Sequence, residues 1–308
     1  MQEREVPSLR VYVVERTGST MASPRKSKKM SHTQRKLNLR FVDGVSDVVV
    51  EGSHMLSVAN HRLYRQGRQY ELKVDIDAGG AGGSMSAIEV FALVPTWWLH
   101  RAWKMAKANY MKATKLERDA LKPLQQAKWD DFRVQPGLTS TANVAQRNAA
   151  GILSDLPTGE YDYSRIENTS GVMKFFTLGA SSATHYNIIE EYSDSFNESQ
   201  SPTTTITQGP YDDLPNQVKS DQEFQDLQAR GDIPPYAQDT LPTHVWVKVA
   251  ELSQQLGQSN RLSTGWFQAP LGMVRIRSIG GAYLNTNTGT TLEAKAGTYN
   301  GVHAPTMG

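Results

Sequence analysis

From Leu37 onward the chain alternates apolar and polar positions with the period of a half-buried strand. Leu37, Leu39 and Phe41 interleave with Asn38, Arg40 and Val42. Val48-Val49-Val50, residues 61–65 and residues 70–77 follow at short spacing, and the last of these sets Tyr70, Leu72, Val74 and Ile76 on one face. Residues 87–94, apolar but for Glu89 and ended by Pro95, have the pattern of a buried strand. Further strands are predicted over residues 172–178, 185–192, 244–252, 265–269 and 272–279. Short strands separated by turn-rich segments predict a mainly β chain, a sandwich with long loops.

One segment breaks the alternation. Over residues 96–122 the period becomes helical, with Thr96 as N-cap and Pro123 as the stop. Trp98, Leu99, Ala102, Trp103, Ala106, Tyr110, Ala113, Leu116, Ala120 and Leu121 fall on one broad face. Arg101, Lys104, Lys107, Lys112, Lys115, Arg118 and Lys122 fall on the opposite arc. Such a helix fits three settings: a solvated surface, a membrane surface flanked by Trp97, Trp98 and Trp103, or a nucleic acid facing the lysines.

Charge sharpens the picture. The 308 residues carry a formal net charge of only +2. Arg25, Lys26, Lys28, Lys29, Arg35, Lys36 and Arg40 nevertheless lie together, with no acidic residue from Ala22 to Arg40. This run has no apolar face and cannot build a core; it reads as a solvated terminus or as an arm that binds a polyanion. Met21, at its start, has the look of a natural initiation point. The opposite bias marks residues 194–239, where Asp194, Glu198, Asp212, Asp213, Asp221, Glu223, Asp226, Asp232 and Asp239 face only Lys219 and Arg230. A loop of this length is expected to be exposed or functional. The expected organisation is therefore an N-terminal extension and basic arm over 1–36, then a β domain over 37–308 interrupted by the helix and the acidic loop.

The chain has no cysteine, which excludes disulfides, thiolate metal sites and cysteine nucleophiles. No apolar run reaches eighteen residues, so no membrane partner is expected, and the charged first residues do not read as a signal peptide. Glycines 79, 80, 82 and 83 lead into a strand, not a helix, so they read as a flexible connection or hairpin turn and not a phosphate cradle. The histidines (His32, His54, His61, His100, His185, His244 and His303) show no metal spacing; His185 and His244 open strands and could meet in space. Asp130-Asp131 and Glu190-Glu191 are adjacent, so on strands each pair points to opposite faces. With no Gly-x-Ser-x-Gly motif either, no catalytic residue, cofactor or metal is assigned, and an enzyme is not expected.

The coincidence of a basic arm, a β body of about eight strands and no catalytic constellation resembles the capsid proteins of small icosahedral viruses with single-stranded genomes. In size and arm composition it is nearest those of the circular single-stranded DNA viruses of eukaryotes. The run from Ser23 to Lys29 resembles their arms, and residues 266–276 resemble the late strand–turn–strand of their shell domains. The resemblance implies an eight-stranded antiparallel jelly-roll β-sandwich, with the amphipathic helix as an insertion. It implies self-assembly into a shell, and packaging of single-stranded nucleic acid, most simply DNA, by Arg25, Lys26, Lys28, Lys29, Arg35, Lys36 and Arg40. The helix cations would be a second basic face. Such a protein would reside in the virion, and in the host nucleus or cytoplasm during assembly. Two other classes compete: a phage tail or tube β-sandwich without genome packaging, and a carbohydrate-active β-sandwich with Trp246, Trp266 and Tyr283 lining a groove.

Overall fold

The pairing of the strands carries the architecture. The computed structural model describes residues 32–41, 45–77, 87–121, 129–137, 142–147, 149–150, 153–159, 161–168, 170–194, 245–253, 261–279 and 289–307. The frame consists of β1 (Lys36–Arg40), β2 (Asp47–Glu51), β3 (Gln69–Asp77), β4 (Ala87–Leu93), β10 (Trp246–Ser253), β11 (Arg261–Ser263), β12 (Phe267–Pro270), β13 (Met273–Ile279) and β14 (Gly289–Ala294). Every pairing among these strands is antiparallel. β1 pairs with β14, β2 with β13, β3 with β11 and β12, and β4 with β10. If β11 and β12 are counted as one interrupted strand, the first frame strand meets the last, the second meets the seventh, and so inward. Between β11 and β12, Thr264 keeps the ladder closed: its backbone N–H donates to the Val74 carbonyl (3.0 Å) and its Oγ1 accepts from the Val74 N–H (3.0 Å).

Two further ladders, β14 with β3 and β13 with β4, join these pairs into two sheets. One runs β11-β3-β14-β1-β5-β6, with β12 also on β3 and with β5 (Asn143–Arg147) and β6 (Leu153–Asp155) extending it past β1. The other runs β10-β4-β13-β2. The sequence alternation explains why they face each other. Leu37, Leu39, Tyr70, Leu72, Val74, Ile76 and Leu292 of the first sheet share one buried core with Val48, Val50, Ile88, Val90, Val274 and Ile276 of the second. The intervening positions of the first sheet turn outward and pair: Lys73 Nζ bridges Asp75 (3.0 Å) and Glu293 (3.1 Å), and Lys295 reaches Glu71 (2.5 Å). The expected mainly β sandwich is what the chain forms.

Residues 94–245 leave β4 and return to β10 as one long insertion. It contains α2 (Trp97–Ala113), α3 (Lys115–Leu121), β5, β6, a small sheet of β7 (Arg165–Glu167), β8 (Met173–Thr177) and β9 (His185–Asn187), and α4 (Ile188–Asp194). Thr96 caps α2 as expected, its Oγ1 accepting from the Leu99 N–H (3.4 Å). Trp98, Leu99, Ala102, Trp103 and Ala106 then build a second core with Phe132, Phe176, Ile188, Tyr192, Leu271 and Met273. Edge-to-face contacts tie it together, with ring centroids 4.8 Å apart for Trp98–Tyr192 and 5.1 Å for Phe132–Phe176. The expected apolar face does not stay buried to its end: Ala113 and Ala120 are exposed and Leu116 is 84% exposed. The helix also breaks at Thr114, whose hydroxyl donates back to the Tyr110 carbonyl (2.8 Å).

Two predicted strands are corrected. Residues 61–65 are not a strand; α1 (Gly52–Asn60) precedes them and ends on His61, whose φ of 51° is left-handed and whose N–H donates to the Ser57 carbonyl. Residues 185–192 are strand only as far as Asn187. There Asn187 Oδ1 accepts from the N–H groups of Ile189 (2.9 Å) and Glu190 (3.3 Å), which starts α4. The glycine-rich connection at 79–83, the acidic run after residue 194 and the first thirty-one residues lie outside the described residues. β3 and β4 belong to different sheets, so the connection between them is not a hairpin.

The sandwich meets the helical insertion at one tight point. A Cβ built on Gly67 would lie 2.1 Å from the Trp103 ring. Gly67→Ala is therefore expected to destabilise the fold by about 1–3 kcal/mol, the usual penalty for overpacking. Urea unfolding should show a lower midpoint with an unchanged slope.

Candidate functional site

The cations singled out in the sequence separate into three settings. Arg25, Lys26, Lys28 and Lys29 lie outside the described residues. Lys36 and Arg40 belong to β1: Lys36 stands across from Glu293, and Arg40 lies 3.6 Å from Asp155. Arg35 sits at the junction, its carbonyl accepting from the Ala294 N–H (2.9 Å).

The chain just before β1 is fastened from two sides. The Gln34 N–H donates to Asn60 Oδ1 (2.7 Å), and Asn60 Nδ2 returns a bond to the Gln34 carbonyl (3.0 Å). Thr33 Oγ1 donates to the Asn300 carbonyl (3.1 Å), which also accepts from the Tyr64 hydroxyl (2.9 Å). Gly301, at φ 93°, follows; a Cβ there would sit 2.3 Å from Thr33 Oγ1. Thr33 and Gln34, just before β1, are thus held beside α1 and the turn that follows β15 (Ala296–Tyr299).

The second basic face keeps most of its expected exposure. Arg101, Lys104, Lys112 and Lys115 are exposed, and Lys107 lies half-buried with its ammonium 5.0 Å from the Trp103 ring. Arg118 is committed elsewhere: it bonds Asp130 (2.5 Å) and donates through Nε to Thr114 Oγ1 (2.9 Å). Lys122 lies outside the described residues. α2 contains no acidic residue.

Of the adjacent carboxylates, Asp130 turns to Arg118 and Asp131 to Arg65 (3.2 Å), so they do not act on one point. His54, His61, His100, His185 and His303 hold no metal-ligand grouping among the described residues, and His244 lies outside them. Trp246 is half-buried in the sheet of β4, Trp266 is exposed beside the other sheet, and Tyr283 is outside the described residues.

One titratable cluster escaped the sequence reading. Glu51, the last residue of β2, is 3% exposed and accepts hydrogen bonds from the hydroxyls of Tyr161 (2.6 Å) and Tyr163. The His54 ring stacks on Tyr161 at 3.7 Å, and the Arg133 guanidinium covers Tyr161 at 4.3 Å. Glu51, His54, Tyr161 and Tyr163 border a cavity of about 310 Å³ that Met55 and Val144 also line. Burial raises the Glu51 carboxyl above its ordinary value, against the two phenol bonds and Arg133, which lower it. Burial likewise lowers the His54 imidazole and holds both phenols protonated. Both carboxylate oxygens and both faces of Tyr161 are occupied, so the arrangement clamps residues 161–163 to the start of α1. The signal for it was Tyr161-Asp-Tyr163, an i, i+2 pair that an extended backbone points to one side.

A scan against family models, a search of curated proteins and a search of solved structures each found no match for this chain.

Removing the carboxyl separates its two effects. Glu51→Ala leaves two buried hydroxyls without an acceptor and should cost about 1–3 kcal/mol in urea unfolding. Glu51→Gln keeps an acceptor and removes the buried charge. The raised carboxyl stabilises the fold when protonated, fully so below its ordinary 4.5, and that stabilisation is lost as pH rises through the folded-state value. Glu51→Gln should therefore gain stability relative to wild type as pH rises from about 4.5, the difference levelling off above the folded-state value. Paired thermal-melt series across pH check this.

Proposed function

We propose that this chain is a coat subunit that assembles with copies of itself into a closed icosahedral shell and packages single-stranded nucleic acid through the basic segment ahead of β1. The pairing of first strand with last, second with seventh, third with sixth and fourth with fifth supports reading the frame as an eight-stranded jelly roll. In that reading a single roll carries an insertion between its fourth and fifth strands. The same winding serves lectins and cupins, so it supports the fold and does not select the activity. The observation that carries the reading is where the charge enters: the acid-free basic run leads directly into the first strand of the roll, from a root fixed at Thr33 and Gln34. A polycationic segment leaving a tiling body at one defined point is suited to neutralising phosphates in a confined volume.

Negative-stain microscopy of the purified chain, with the ratio of absorbance at the nucleic-acid and protein maxima, tests this. Closed particles carrying nucleic acid are expected from the full chain, and closed particles carrying much less from a chain starting at His32. A full chain that stays monomeric at every salt and protein concentration overturns the proposal. Loss of all assembly on removing the basic segment would instead favour a tail or tube subunit, in which that segment serves contacts between copies.

A further inference from the structure

The insertion carries a groove of about 800 Å³ that the packaging reading does not use. The end of α2, its cap and α3 line it through Tyr110, Thr114 and Glu117, and the chain between residues 129 and 133 and between residues 159 and 165 lines the rest with Met173. Its parts are tied to one another. The Ser164 N–H donates to the Arg133 carbonyl (2.9 Å), and Ser164 Oγ accepts from the Arg133 N–H (3.0 Å). Arg118 of α3 bonds Asp130 (2.5 Å), and the Glu51 clamp holds Tyr161 and Tyr163. The groove is therefore organised in advance, which lowers the ordering cost of binding.

Two features of the lining point to one kind of ligand. The first is aromatic. Arg118 stands over the Tyr110 ring at 5.4 Å and Arg133 over Tyr161 at 4.3 Å, whereas Trp129 is 64% exposed. Neither Trp246 nor Trp266, the described aromatic residues that the sequence offered for a groove, lines it.

The second feature is charge that is dense and nearly balanced. Asp130 is bonded by Arg118 and Asp131 by Arg65, while Asp162 lies 4.0 Å from Arg165. Glu117 and Arg133 add one charge of each sign. Such a lining favours neither a polyanion nor a polycation, and it sets hydrogen-bond donors beside acceptors. Sugars match that combination. A pyranose ring has an apolar C–H face to lay on an indole, and a rim of hydroxyls that each donate and accept.

We propose that this groove binds an uncharged oligosaccharide, with one ring laid on Trp129 and its hydroxyls held by the paired carboxylates and guanidiniums beside it. The proposal is one of binding alone, with no bond broken. It does not rest on the packaging reading, which concerns the segment ahead of β1 and not the insertion.

An array of immobilised tri- to hexasaccharides, probed with the purified full chain, tests it. The array holds neutral glucose, galactose, mannose and N-acetylglucosamine oligomers beside sialylated and sulfated ones. The neutral oligomer retained most strongly is then titrated by calorimetry into the wild-type chain and three full-length variants. Trp129→Ala should weaken binding about tenfold, the loss expected of one stacked ring, and Trp129→Phe should keep most of the affinity. Trp266→Ala removes a tryptophan that is 45% exposed outside the groove, and it should bind as wild type does. Urea unfolding should place all three variants near the wild-type midpoint, because both rings are exposed. Retention of no neutral oligomer overturns the proposal. So does a Trp129→Ala variant that binds no worse than Trp266→Ala, which puts the sugar elsewhere. Retention confined to sialylated or sulfated oligomers and abolished by salt also overturns it, since the surface is then an anion site. The packaging reading stands apart from each of these outcomes, because the nucleic-acid content of the particles decides it.

Discussion

The structure hangs on β14, a strand of six residues lying between β1 and β3. It holds together the sheet that carries the chain's first and last frame strands. Its inward positions are Thr290, Leu292 and Ala294, all buried, opposite Leu39, Leu37 and the Arg35 carbonyl on one side and Ile76, Val74 and Leu72 on the other. Only one of the three is a large hydrophobe, so β14 contributes backbone hydrogen bonds and a close sheet-to-sheet fit more than apolar area. Remove that ladder and β1 loses its inner neighbour, and with it the anchored root ahead of Lys36. Pairing across such a distance in sequence also makes the frame dominated by non-local contacts, a slow class of topology to assemble.

This strand marks where the sequence stopped being legible. β3, β4 and β13 were readable because alternating or continuous large hydrophobes recur through them, as in Tyr70, Leu72, Val74 and Ile76. β14 gave no such signal, since threonine, glycine and alanine fill most of it. α1 was missed because Met55, Leu56 and Ala59 are too few to show a period, and the left-handed His61 that ends it gives no sequence signal. α4 was read as strand because its apolar residues suit either period, and the decision fell to one Asn187 side chain. α2 was legible to the cap, yet its apolar stripe outlasts its partner surface: second-core neighbours reach Ala106, with Tyr110 partly buried against them, and Leu116 meets solvent. Periodicity says which face could be buried, and only tertiary packing says how far.

Chemistry was legible in the same uneven way. The run of like charges was visible because it is contiguous. The clamp of Glu51 by two tyrosines was not, since its members come from β2 and from residue 161 onward and meet only in three dimensions.

The insertion over residues 94–245 leaves the frame at Leu93 and rejoins it at Trp246, and these two residues stand opposite each other in the β4–β10 ladder. A loop whose ends are already neighbours adds little closure entropy as it grows, about 0.6 kcal/mol for each doubling of its length. The frame therefore tolerates a longer segment there at little entropic cost, provided the two stems still meet and β5 still pairs with β1. The helix, its aromatic core and the small sheet behave as a cassette: a surface that can be exchanged or enlarged while the strand pairing beneath stays the same.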